Sequence, residues 1–174
     1  MFAYRDSYII MKPNFLRWMN RCQCLSDKKR LEWYPPFWFM RIKVIILSAD
    51  WRHIKIKLPL NFLSRNMGDS MFGGYQTALA DPIAALACNR VLDRKYNVWS
   101  RYQEVDFRYM GNSDLELRFD FDPQIEQQIR DDLKTKGRST PTFEYGFYRA
   151  DGVECTHIKS TVAIRAMDYK PPLA

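Results

Sequence analysis

Two histidines and four cysteines are all that this 174-residue chain offers for imidazole or thiol chemistry. Cys22-x-Cys24 lacks the two-residue gap of common zinc and redox pairs, and Cys88 and Cys155 do not supply a second pair. With only His53 and His157 beside them, no metal site is expected, and the thiols read as reduced cysteines of a cytoplasmic protein. Long apolar runs are also missing. The most apolar window, residues 37–47, is interrupted by Arg41 and Lys43 and is too short to cross a bilayer, so no membrane span is expected. The first eleven residues lack the basic start and apolar run of a secretory signal, and Met11 is an alternative start. There is no internal repeat, low-complexity segment or recognised nucleic-acid-binding motif. A net charge of +7 favours anionic partners such as nucleic acid, an acidic membrane surface or a phosphorylated cofactor. The basic residues are dispersed, however, and the densest group is only Lys28-Lys29-Arg30. That dispersal argues against a dedicated nucleic-acid arm, and nucleic acid is not expected as a partner.

What is present is apolar residue in quantity, 47% of the chain with 15% aromatic, enough for one dense core. Residues 14–33 read as an irregular helical lead-in with Phe15, Leu16, Trp18 and Met19 clustered, closed by Pro35-Pro36. Residues 40–47 are rich in β-branched side chains. Residues 50–60 alternate, with Ile54, Ile56, Leu58 and Leu60 against His53, Lys55 and Lys57, the mark of a strand covered on one side. Residues 98–109, 113–122, a segment around Phe143, Tyr145 and Phe147, and 153–166 repeat that alternation, with Asp151-Gly152 as a hairpin turn. Between the later strands Ile125, Ile129 and Leu133 recur every four residues and Gly137 stops the run, which predicts a surface helix over 123–136.

The remaining segment carries the chemistry. From Gly74 to Asn89 sixteen residues contain one charge, Asp81, and small apolar side chains on nearly every side predict a helix buried all round that ends near Asp93. A carboxylate leaves water at a cost of several kcal/mol or more unless it is paired, so Asp81 either points out through a gap or has work inside. Asp81-Pro82 also suits a helix start, with Asp81 as N-cap of a second half-helix. Six one-sided strands around one apolar helix predict an α+β fold, an antiparallel sheet curled about that helix.

This order, with Gly73-Gly74 opening the helix, resembles the hotdog fold of acyl-CoA thioesterases. Asn66, Phe72-Gly73-Gly74, Leu79-Ala80-Asp81 and Ala87-Cys88-Asn89 are similar to the helix segment of the phenylacetyl-CoA thioesterase branch. Tyr34-Pro35-Pro36-Phe37, Leu58-Pro59-Leu60 and Ala80-Asp81-Pro82 extend the resemblance to an uncharacterised DUF4442-type subfamily. It covers roughly residues 34–166. It implies a single hotdog domain over 34–170 after an extension over 1–33, with a six-stranded antiparallel sheet wrapped around one long helix. It further implies a homodimer or dimer of dimers whose subunits pair edge to edge and share active sites. Thioesterases of this kind have His before the two glycines, where this chain has Phe72.

The resemblance implies that Asp81 attacks a thioester carbonyl or activates a water, with coenzyme A as part of the substrate and no retained cofactor. A helix beginning at Gly74 offers free N–H groups and the positive dipole end to the oxyanion. Gly73-Gly74 alternatively only lets the loop turn into the helix. Asn66 either orients a water or the thioester or forms an Asx turn. Thr77, one turn before Asp81, can bond its carboxylate or its own backbone. Phe72, Gly73 and Gln76 are expected to line the same substrate pocket. Cys88 reads as a small core residue and His157 as structural. Arg65, Arg101 and Arg108 are candidates for coenzyme A phosphates.

Overall fold

A computed structural model describes residues 25–169. The expected helix over residues 14–24 lies outside the described residues, as do Cys22 and Cys24. The rest of the lead-in is α1 (Asp27–Glu32), opened by Ser26, whose hydroxyl accepts from the Lys29 N–H. The lead-in ends before Pro35-Pro36, as expected, but the two prolines also open another helix, α2 (Pro35–Met40), with proline in its first turn. Proline lacks only an N–H that a first turn leaves unpaired anyway, so it starts a helix as readily as it stops one. Leu31, Phe37 and Met40 tie both helices into the common core.

The strands are β1 (Lys43–Leu47), β2 (His53–Leu58), β3 (Tyr96–Phe107), β4 (Leu115–Asp120), β5 (Arg138–Ser139), β6 (Thr142–Tyr148) and β7 (Glu154–Ala166). They form one antiparallel sheet in the order β1-β2-β4-β6-β7-β3, with β5 paired to β7. The count is seven rather than six, because β5 is two residues long and too short for any period to show. Alternation sets the register. Leu58 faces Leu115, Ile56 faces Leu117 and Ile54 faces Phe119, all buried, while Lys57 sits opposite Glu116 and His53 opposite Asp120 on the outer side.

Across the inner face runs the central helix α3 (Gly73–Val91), and between β4 and β5 lies α4 (Pro123–Lys136). Asp122 caps α4 by accepting from the Gln124 N–H at 2.7 Å, and Gly137 ends it at φ 65°, as its position after the last buried leucine predicts. In α3, Leu79, Ala80, Ile83, Ala84, Ala87 and Cys88 are fully buried against the sheet. The helix is not buried all round, however. Ala78 and Asp81 are exposed, and Gly74, Pro82 and Ala85 only partly covered. Small apolar residues on two sides look the same in a sequence whether the second side meets the core or remains open. No helix among the described residues is long and apolar enough to cross a membrane.

Candidate active site

The loop before α3 is built by Asn66. Its carboxamide oxygen accepts from the Gly68 N–H at 2.9 Å and the Ser70 N–H at 3.1 Å, and its Nδ2 donates to Ser70 Oγ at 3.0 Å. Of the two roles open to Asn66, the geometry displays the Asx turn. The turn delivers the chain to Phe72, the N-cap of α3, whose side chain caps nothing. Gly73 and Gly74 follow in the first turn, where N–H groups have no partner within the helix. Both glycines lie under aromatic rings. A Cβ on Gly73 would come within 2.9 Å of Phe107 Cζ, and one on Gly74 would overlap the Phe72 ring. A side chain at either glycine would displace one of these half-exposed rings, so the pair lets both aromatics close over the helix start.

A cleft of about 410 Å³ opens beside this start, lined among others by Asn66, Met71, Gly73, Gln76 and Phe107. Gln76 is 3% exposed, and its Oε1 accepts from Thr156 Oγ1 at 2.6 Å. That bond turns the amide so that Nε2 is left on the side away from Thr156. The cleft thus gathers Asn66, Gly73 and Gln76, but Phe72, Gly74, Thr77 and Asp81 are not part of its wall.

Asp81 stands seven residues beyond Gly74 on the same side of α3, roughly 10 Å along its axis at 1.5 Å per residue. Its carboxylate is exposed and has no hydrogen bond or ion pair with any described residue. The helix continues through Pro82, so Asp81 does not cap a second helix as the Asp-Pro pair allowed. Three side chains brace the backbone around the proline. Ser100 Oγ donates to the Asp81 carbonyl at 2.8 Å, Tyr145 Oη to the Ala80 carbonyl at 2.8 Å, and Gln103 Nε2 to the Thr77 carbonyl at 3.4 Å. Those sheet-borne donors tie the helix to the sheet beside the Ala78 carbonyl, which Pro82 has no N–H to serve. Thr77 itself donates to the Gly73 carbonyl at 3.0 Å, so its hydroxyl serves the helix and not the Asp81 carboxylate.

Other titratable groups are committed elsewhere. Burial pushes the thiols of Cys88 and Cys155 up, which keeps them protonated and poorly nucleophilic. Burial also raises the Tyr145 hydroxyl, with a smaller contribution from the nearby Asp81 charge. His157 sits between Glu154 at 3.1 Å and Glu144 at 3.2 Å on the outer face of the sheet. Arg65 pairs with Asp69, and Arg108 with Asp106 and Glu154, whereas Arg101 pairs with no described carboxylate. Among the described residues no cluster of His, Cys, Asp and Glu could hold a metal ion. The bracing residues Ser100, Gln103 and Tyr145 escape a sequence reading, since each acts across the fold. The one hint is Tyr145, a hydroxyl between Phe143 and Phe147 on an inward face.

A family model described as "Domain of unknown function (DUF4442)" matches residues 28–164. No curated protein matches. Among solved structures, a Pseudomonas aeruginosa protein described as of unknown function and "Probable Thioesterase" superposes with a TM-score of 0.66 at 14% identity, over 75% of this chain and 86% of its own. A Chlorobaculum tepidum protein of unknown function gives 0.66 at 12% identity, over 87% and 94%. A thioesterase of Haemophilus influenzae gives 0.63 at 13% identity, over 85% and 96%. At these identities the likeness extends to the hotdog fold, an α+β arrangement of one antiparallel sheet and one long central helix.

Proposed function

We propose that this chain, which belongs to the DUF4442 family, is a thioester hydrolase acting on acyl derivatives of coenzyme A. The observation that carries the reading is the placement of Asp81. It is a carboxylate without a partner among the described residues, on the open side of an otherwise apolar helix, about two turns from a free helix N-terminus. Within one chain those two groups are too far apart to reach one carbonyl. A second copy pairing along β3, the edge strand beside α3, brings Asp81 of one subunit towards the helix start of the other. The protein then acts as a homodimer, or a dimer of dimers, with the acyl chain among the apolar side chains between subunits.

In that site the N–H of Gly74 holds the thioester oxygen as negative charge develops on it. Asp81 either attacks the carbonyl carbon, expelling the thiolate and leaving an anhydride that water opens, or removes a proton from the attacking water. Either route yields a carboxylic acid and coenzyme A. Incubation of the purified protein with a panel of acyl-CoAs should release free thiol from at least one of them. Release from none, or equal release by Asp81→Asn, sinks the proposal.

A second reading, binding of acyl-CoA or fatty acid without turnover, draws on Phe72. Its ring lies where a Gly74 side chain would be and screens the helix start. Tight calorimetric binding of an acyl-CoA that stays intact is the outcome that favours it.

A further inference from the structure

A cleft of about 470 Å³ lies where β5, β7, β3 and the last turn of α4 meet. Four cations border it, Arg101, Lys136, Arg138 and Arg165, against one carboxylate, Asp132. Asp132 is already engaged, taking Lys136 Nζ at 2.7 Å and Ser139 Oγ at 3.0 Å. Those two donors hold its carboxyl below the usual range, so its charge is spent on Lys136. The three arginines form no ion pair with any described residue.

Their arrangement costs energy as it stands. Arg138 and Arg165 lie directly opposite one another in the β5–β7 register, where like charges repel. Neutral groups hold them there. Arg165 donates to the carbonyls of Ser139 at 2.6 Å and Ile164 at 2.8 Å and to Thr140 Oγ1 at 3.3 Å. Arg138 donates to Tyr169 Oη at 2.8 Å, and both guanidinium groups sit over the Tyr169 ring at 5.9 and 5.6 Å. Carbonyls, a hydroxyl and a ring orient these cations without cancelling them. Planar guanidinium donors fixed in this way match the oxygens of a phosphate group.

We propose that this cleft binds a phosphate group of a ligand, with Arg101, Arg138 and Arg165 as its counter-charges. Resting on the thioesterase reading, the source is the phosphates of coenzyme A. Arg101 follows Ser100, whose hydroxyl holds the Asp81 carbonyl, so the cleft borders the strand that braces the candidate carboxylate. The long pantetheine arm of coenzyme A separates its phosphates from its sulfur, as a phosphate cleft apart from the reacting carbon requires.

Calorimetric titration of the full chain with coenzyme A, pantetheine and inorganic phosphate tests this. Coenzyme A should bind at least about tenfold more tightly than pantetheine, and its affinity should fall with added salt. Arg101→Gln and Arg138→Gln should each weaken coenzyme A about tenfold while melting within a few degrees of the parent. Arg149→Gln, in a cleft on another part of the sheet, should leave the affinity unchanged. Undiminished affinity in both Arg101→Gln and Arg138→Gln overturns the site. Arginine-dependent binding of inorganic phosphate without binding of coenzyme A keeps the phosphate site and overturns its source. Arginine-dependent binding of coenzyme A by a protein that releases no thiol keeps the cleft and sinks the hydrolase. Thiol release lost in Asp81→Asn, with coenzyme A affinity indifferent to the arginines, does the reverse.

Discussion

Asp81 presents its charge among Ala78, Pro82 and Ala85, and nothing described in its own chain uses the carboxylate. Replacement by asparagine therefore removes no contact within the chain. Asp81→Asn is expected to melt within about 0.5 kcal/mol of the parent, and to lose at least about a hundredfold in thiol release from the responsive acyl-CoA. Thermal melting and a thiol assay on one preparation check both halves. Phe72 is the residue where the chain departs from its thioesterase likeness. Half exposed, it spreads its ring over Gly74 and against Tyr75 at 5.9 Å. Phe72→His keeps an aromatic ring there and adds a hydrogen-bonding nitrogen. Turnover should rise by several-fold or more without a matching change in substrate affinity; a kcat that falls tells against the screening role assigned to Phe72.

Two elements are tied to the rest of the fold by side-chain hydrogen bonds. The first is α3, which is tied to the sheet on either side of Pro82 by Ser100, Gln103 and Tyr145, donating to the carbonyls of Asp81, Thr77 and Ala80. Tyr145→Phe leaves the Ala80 carbonyl without that buried donor and should cost about 1–2 kcal/mol in urea unfolding. The second is α4, docked by Glu126, which takes Arg52 at 2.8 and 2.9 Å and Arg130 at 2.7 and 3.0 Å. Burial alone would raise the Glu126 carboxyl, but the hydrogen bonds from Arg130 and Arg52 outweigh it and hold the group below its ordinary 4.5. A depressed carboxyl stabilises the fold above its unfolded-state pKa. That contribution is lost as pH falls from about 4.5 through the lower folded value. Unfolding measured from pH 7 to pH 3 should show Glu126→Gln less stable than the parent at neutrality, with the gap closing on the acid side.

Across the whole molecule, the exposed side of α3 lies next to the open edge of β3. That twelve-residue strand leaves Trp99 48%, Tyr102 60% and Phe107 53% exposed. A long edge strand carrying aromatic side chains pairs readily with another copy unless charge or proline blocks it. Tyr102→Lys should lower the mass measured by light scattering from that of a dimer or larger assembly to that of a single chain. On the proposed shared site, thiol release should fall with it. A monomeric variant of full activity would sink the shared site.

Much of this architecture is legible residue by residue. Alternation along 50–60 and 113–122 dictates which side chains turn inward, and the register of β2 on β4 follows from burying those leucines and isoleucines together. The four-residue spacing of Ile125, Ile129 and Leu133, closed by Gly137, marks α4 from end to end. Local rules suffice there because each element has one apolar side and one place to put it. Other features depend on distant groups. Whether Pro35 and Pro36 stop a helix or start one depends on the core that receives Phe37 and Met40. How α3 is tied to the sheet beside Pro82 depends on Tyr145, Ser100 and Gln103, and the turn that Asn66 makes depends on Ser70. Only the folded chain shows that Asp81 lies on an open side of its helix, and that three arginines from β3, β5 and β7 meet around one cleft. Burial and charge are sums over neighbours in space, and those neighbours are tens of residues away along the chain.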